Sequence, residues 1–294
     1  MKTTHHSEFL QLKSVFIKPA QNAFISDEFL SSQWETLHYL EKPKFDVALT
    51  EYRSFEALLD KDHIEIYKFP LRKELSIDSI YCRDASIVTD FGMIICNMGK
   101  NGRVGEPLAQ KRAFEALAIP ILGEINSPGT VEGGDVTWLD EKTLAVGHTY
   151  RTNESGISQL KSFLEPKGID VIVAEMPHYK GKSDVFHLMS VLSPVDKDLA
   201  VVYSPLMPIK FRNELIKRGF NFVEVPDDEF ESLGCNVLAI APRQCVMVEG
   251  NPITKKRLIE AGCEVFSYNG IEISIKGGGG PTCLTRPLER TFLL

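Results

Sequence analysis

No stretch of this chain of 294 residues approaches the run of about 18 apolar residues that a membrane-spanning helix requires. The opening residues, MKTTHHSEFLQLKSVF, hold no apolar segment of the kind a secretory leader needs, so a cytoplasmic location without a membrane partner is expected. Long runs of Lys or Arg are missing as well. With 40 acidic against 33 basic residues and a net charge of −7, no surface is expected to track phosphates, which argues against nucleic acid as a partner. Cysteine is sparse, at six residues, with no CxxC pair and no histidine at ligand spacing, so neither a disulfide scaffold nor a metal site is expected. No Pro/Gly/Ser-rich linker interrupts the chain. Residues 1–294 therefore read as a single domain, with 1–12 as a loose tail.

What is present is a repeated order of events. KRAFEALAIPILGEI, LKSFLEPKGIDVIVAEM, FRNELIKRGFNFVEVP and TKKRLIEAGCEVFSYN each start with helical spacing, break, and end in a short Val/Ile/Phe-rich run; FEALLDKDHIEIYKF is a fifth copy. Each copy is followed by a turn and one or two apolar strands, as in SIVTDFGMIICNM and VTWLDEKTLAVG. The unit is thus strand, strand, helix, strand. One such unit cannot bury its own apolar faces, so an α/β fold with the copies packed on one another as a closed ring is expected. The alternative is an irregular α/β sheet. In a ring, the turns before equivalent strands converge, and side chains far apart in sequence can form one site.

The chemistry-bearing residues stand at those turns. Gly277 to Gly280, followed by Pro281, Thr282 and Cys283, allows a tight bend and close approach by a neighbour, with a thiol at its end. A phosphate-binding loop would need Lys and Ser/Thr after the glycines, and these are missing. A structural bend with a buried cysteine stays open as the other reading. A cysteine nucleophile needs a base, and among seven histidines His187 in the strand-patterned DVFHLMS is the best placed. Asp78 and Asp84 in SIDSIYCRD, and Glu132 and Asp135 in VEGGDV, supply carboxylates suited to a planar cationic guanidinium, although each alone could be a turn former.

IYCRD, EGGDV, FHL and GGGGPTC, in this order over most of the chain, resemble the signature of the guanidino-group-modifying superfamily, which includes dimethylarginine dimethylaminohydrolase, arginine deiminase and the amidinotransferases. The resemblance implies a pentein fold, a propeller of five ββαβ units with pseudo-fivefold symmetry. It implies that Cys283 attacks the guanidinium carbon, that His187 is acid and base, and that Glu132 and Asp84 grip the nitrogens. It further implies that Arg151 in GHTYRTN, and Arg103 in GRVGEP, hold a substrate carboxylate. No cofactor is implied, the partner is a small guanidino molecule, and a homodimer is compatible with it. Met189 stands where the deiminases usually carry Asp, which leans toward a dimethylarginine dimethylaminohydrolase-like enzyme releasing citrulline and an alkylamine. Arg83, where those hydrolases usually have Glu, and the GGGGP run lean the other way. Arginine deiminase, citrulline hydrolysis, amidino transfer and a non-catalytic binding ring remain as alternatives.

Overall fold

The computed structural model describes residues 2–60 and 64–292. Each of the five repeated segments folds as a helix followed by a strand, and residues 61–63 of the first lie outside the described part. The helices are Phe45–Asp60, Glu106–Ala116, Glu154–Leu164, Ile209–Lys217 and Pro252–Glu260. Three of the helix-to-strand breaks fall on Gly168, Gly219 and Gly262, whose φ values of 80°, 88° and 84° reverse the chain in the left-handed region that glycine enters without a Cβ clash. At its start, Glu154–Leu164 is held by the Asn153 side chain, which accepts the Gly156 N–H at 2.8 Å and so satisfies a donor the helix leaves open.

Five three-stranded sheets follow one plan, an antiparallel pair and then a parallel strand reached through the helix. In the second sheet Ser86–Ile87 pairs with Met93–Ile95, which pairs with Ile121–Glu124. The third holds Val136–Asp140, Thr143–His148 and Asp170–Glu175; the fourth Leu192–Asp196, Leu199–Val202 and Asn221–Glu224; the fifth Leu238–Ala241, Gln244–Val248 and Glu264–Tyr268. The first sheet joins the two ends of the chain. Thr285–Pro287 runs antiparallel to Ser14–Ile17, which runs parallel to Glu65–Lys68.

The apolar core is divided among sheet pairs. Phe16 and Phe69 of the first unit meet Met93 and Phe114 of the second; Ile94 meets Val136 and Leu144 of the third; Ala145 meets Leu192 and Ala200 of the fourth; Val201 meets Ala239 and Met247 of the fifth. The fifth returns to the first through Val246, Val248 and Tyr268 against Val15, Ile17 and Phe55. Burying one such side chain contributes roughly 1.5–3 kcal/mol, so every sheet depends on two neighbours for its stability.

The expected loose tail is packed instead. Thr3–Thr4 and Gln11–Leu12 flank Arg290–Thr291 in a small sixth sheet. The His6 ring stacks on Trp138 with centroids 3.8 Å apart, and its Nε2 accepts the Asp90 N–H at 2.8 Å. Glu8 pairs with the buried Arg83 at 3.0 Å. The segment reads as polar because its partners are an indole and a guanidinium that belong to distant parts of the chain.

Candidate functional site

Five side chains stand in the turns just before the first strands of the sheets. Asp84 precedes Ser86–Ile87, Glu132 precedes Val136–Asp140, His187 precedes Leu192–Asp196, Asn236 precedes Leu238–Ala241 and Cys283 precedes Thr285–Pro287. His187 was expected on a strand; it lies instead at the start of a short turn, Leu188–Ser190, which aims the ring inward rather than across a sheet face. Cys283, His187, Glu132 and Asp84 line one narrow cavity together with Asp78, Tyr81, Lys100, Arg103 and Arg151. The cavity opens past Cys283 and His187 into a wider mouth bordered by Leu37, His38, Tyr179, Lys180 and Asp184.

His187 Nε2 and Glu132 Oε2 are 2.8 Å apart and wholly removed from solvent. Burial would favour the neutral ring, but the charge of Asp135, the hydrogen bond to Glu132 and the charge of Asp84 outweigh it and push His187 up to about 9. Burial likewise would raise Glu132, yet the hydrogen bond and charge of His187, with Arg151 and Arg103 behind them, bring it down to about 2. Near neutral pH the pair is therefore imidazolium and carboxylate. Glu132 Oε1 accepts the Lys100 backbone N–H at 2.9 Å and has Arg151 Nη1 at 3.5 Å.

The glycines of EGGD have a steric purpose. A Cβ on Gly134 would stand 2.5 Å from His187 Nδ1 and 2.8 Å from Asp84 Oδ1, closer than real Cβ contacts. Gly134 also donates its N–H to Asp84 at 2.9 Å. Gly134→Ala is expected to fold but to lose about 10²-fold or more in kcat by displacing the imidazole, since misplacement of a reacting group by an ångström has that cost; steady-state rates beside a thermal melt check this.

Cys283 is half-buried, whereas Cys82, Cys96, Cys235, Cys245 and Cys263 are buried and all are free. Its Sγ accepts the Asn236 amide at 3.3 Å, and Asn236 Oδ1 in turn accepts the Thr282 N–H and hydroxyl at 3.0 and 2.8 Å. Burial and the charge of Asp84 raise the thiol above its usual range, only partly offset by the contacts with Asn236 and Thr282. Of the glycine run, Gly278 alone has a positive φ, 76°. Behind the bend Arg83 donates from Nε to Thr282 O at 2.9 Å and from its N–H to Cys283 O at 3.2 Å.

Two residues expected at the substrate are spent inside the protein. Asp135 is fully buried, with Oδ1 accepting the Leu188 N–H at 3.0 Å and Oδ2 the Thr149 hydroxyl at 2.7 Å, so it braces the His187 turn from behind. Burial raises its pKa to about 6. Arg103 lines the cavity, but Nε and Nη2 clasp Glu106 at 2.9 and 2.8 Å, Nη2 also meets Tyr81 O, and Nη1 meets Asp84 at 2.5 Å. It orients Asp84 instead of presenting a free fork. Arg151 is different, because among the described residues its Nε has no hydrogen-bond partner and Nη2 reaches only Asp184 O at 3.3 Å. Asp78 carries an ion pair with Lys100 at 2.6 Å.

Asp84, Glu132 and His187 offer ligand atoms within 4.8 Å of one another, the spacing of a cation site. Arg103, the Gly134 and Lys100 N–H groups and the imidazole already engage these carboxylates, and Arg151 adds further positive charge. Such an arrangement suits a planar N–H-rich cation better than a metal ion. Asn236 and Lys100 were missed by the sequence reading. Asn236 stands in LGCN and Lys100 in NMGKNGR, and neither segment carries a residue pattern that singles it out.

A family model described as N,N dimethylarginine dimethylhydrolase, eukaryotic, matches residues 21–290. The uncharacterized protein YkgA of Bacillus subtilis is 28% identical over 291 residues, covering 98% of this chain and 96% of its own. The N(G),N(G)-dimethylarginine dimethylaminohydrolase of Pseudomonas aeruginosa is 25% identical over 250 residues, 85% of this chain and 92% of the relative. A structure of the P. aeruginosa enzyme, a cysteine-to-serine mutant complexed with citrulline, superposes with a TM-score of 0.77 at 22% identity over 94% of this chain and 99% of that one. The N-terminal domain of ArgZ, a cyanobacterial arginine dihydrolase bound to product, gives 0.77 at 17% identity, covering 94% and 97%, which speaks for the shared α/β fold. The chain belongs to the N,N-dimethylarginine dimethylhydrolase family and is a hydrolase of amidine carbon–nitrogen bonds.

Proposed function

We propose that the chain is a dimethylarginine dimethylaminohydrolase-like enzyme that hydrolyses a guanidinium through a covalent adduct on Cys283, with methylated arginines as the first substrates to assay and citrulline and an alkylamine as products. The observation that carries this reading is the convergence of Cys283, His187, Glu132 and Asp84 on one cavity from four separate turns. The scaffold in this reading is a closed five-unit propeller, supported by the shared cores that run from each sheet to the next and from the fifth back to the first.

Asp84 and Glu132 hold the guanidinium N–H groups. A cation placed beside the thiol favours its ionised form, so substrate binding offsets the raised thiol pKa and the thiol proton passes to solvent. The thiolate forms a bond to the guanidinium carbon. His187, protonated near neutral pH, gives its proton to the departing nitrogen, and the amine leaves a thiouronium on Cys283. The neutral imidazole then takes a proton from water, whose oxygen adds to the same carbon. The carbon–sulfur bond breaks with its electron pair returning to Cys283, the adduct's hydroxyl proton restores the thiol, and a ureido product departs. Met189 is buried beside His187 and borders the mouth of the cavity; a thioether there offers no carboxylate to an unsubstituted nitrogen and tolerates methyl groups on the leaving one.

The test is a panel of methylarginines, arginine, citrulline and agmatine scored for ureido product and released amine. Dimethylamine or methylamine from the methylated compounds is expected. Ammonia from arginine alone would overturn the substrate assignment and leave the thiol chemistry standing.

A further inference from the structure

Lys100 is the residue at the cavity whose position the reaction does not explain. Its ammonium sits 2.6 Å from Asp78 Oδ2 and 3.0 Å from the Leu37 carbonyl, and the side chain is only 14% exposed. A carboxylate and a carbonyl converging on one point form a receptor for an alkylammonium, and here the chain's own lysine fills it. Its backbone N–H is committed to Glu132, which fixes the residue against the centre of the site.

The charges around the cavity can be assigned in pairs. Arg103 is shared between two carboxylates, clasping Glu106 with two donors and meeting Asp84 with one, and Asp84 Oδ1 accepts only the Gly134 N–H. Glu132 is matched by His187 and Asp78 by Lys100. Arg151 has a buried Nε without a partner among the described residues and makes only long contacts, with Glu132 at 3.5 Å and the Asp184 carbonyl at 3.3 Å. Asp84 and Arg151 both line the cavity and offer it one acidic and one basic contact. A ligand with a guanidinium and a carboxylate meets both. A ligand that also carries an ammonium would have to evict Lys100 from Asp78 or bring two ammonium groups to one carboxylate.

Resting on the hydrolytic reading above, we propose that Lys100 is a specificity-determining residue that occupies the ammonium receptor of the cavity, so that the site prefers guanidino acids without an amino group, methylated or not, over their amino-acid counterparts. The enzyme can be assayed with 5-guanidinopentanoate and arginine, which differ only by the amino group, and with their N-methylated forms. For the wild type, kcat/KM for the desamino member of each pair is expected to be at least tenfold higher. Lys100→Met keeps the apolar stem and removes the ammonium. It is expected to shrink that ratio by tenfold or more, through a lower KM for the amino-bearing member, whereas a merely structural role would lower both substrates alike. Should the variant not fold, inhibition of the wild type by the ureido products of each pair reads the same preference. An unchanged ratio in active Lys100→Met, or tighter binding of the amino-bearing member by the wild type, overturns the Lys100 assignment alone. A wild type that yields no ureido product from any of these compounds overturns the hydrolytic reading, and this inference with it.

Discussion

Cys283→Ser is expected to lower turnover of every guanidino substrate by about 10⁴-fold or more, because a hydroxyl stays protonated where a thiol can ionise and a catalytic unit rarely survives loss of its nucleophile. The fold should be unaffected, since serine is nearly isosteric and the Asn236 amide that faces Sγ at 3.3 Å can donate to an oxygen equally well. Intact-mass measurement during turnover gives a second readout. The wild type should carry a transient thiouronium mass, and the variant none. The five other cysteines are buried, and burial raises Cys82 to about 12 and pushes Cys96 and Cys235 up as well, so an adduct should map to Cys283. Retention of full activity by Cys283→Ser would sink the covalent mechanism.

The elements and the turns were legible because each rests on local signals. Helical spacing broken at Gly168, Gly219 and Gly262 gives the helix-to-strand order directly, and an acidic or thiol residue beside glycines marks the turns. Steric reasons for EGGD could also be anticipated, though not that His187 is the neighbour which forbids a Cβ at Gly134. What escaped depends on pairings over long sequence distances. Glu8 reaches Arg83, Asp135 reaches Leu188, and Lys100 reaches both Asp78 and Leu37; none of these has a spacing that a sequence pattern could carry. Asp135 and Arg103 show the same limit from the other side. A carboxylate or a guanidinium near the right turn looks free for substrate until its protein partners are known, and both turn out to hold the machinery in place.

Glu132→Gln separates the electrostatic part of that machinery from its shape. The amide keeps the volume and a hydrogen-bonding oxygen beside His187 Nε2 but withdraws the charge that lies 2.8 Å away. Asp135 and Asp84 still face the ring, so His187 should fall from about 9 only part of the way toward the ordinary histidine range near 6.5. The alkaline limb of kcat/KM, on which the imidazolium loses the proton it must give to the leaving amine, should therefore move to lower pH. Turnover should drop by about 10³-fold, since a general acid and one grip on the guanidinium are weakened together. Stability should follow the same charges. In the wild type His187 is raised in the folded state, so its contribution is complete below about pH 6.5 and is lost as pH climbs through about 9. Glu132 is lowered, so its contribution is complete above about pH 4.5 and is lost as pH falls through about 2. Asp135 and Asp84 supply part of the His187 shift, so the interaction between Glu132 and His187 is less than the whole and counts once, on the order of 2 kcal/mol. The stability gap between wild type and variant should be widest and flat from about pH 5 to 7 and should close above pH 9. A gap that persists unchanged at pH 10, or an alkaline limb that stays in place, would mean that Glu132 acts through packing and not through its charge.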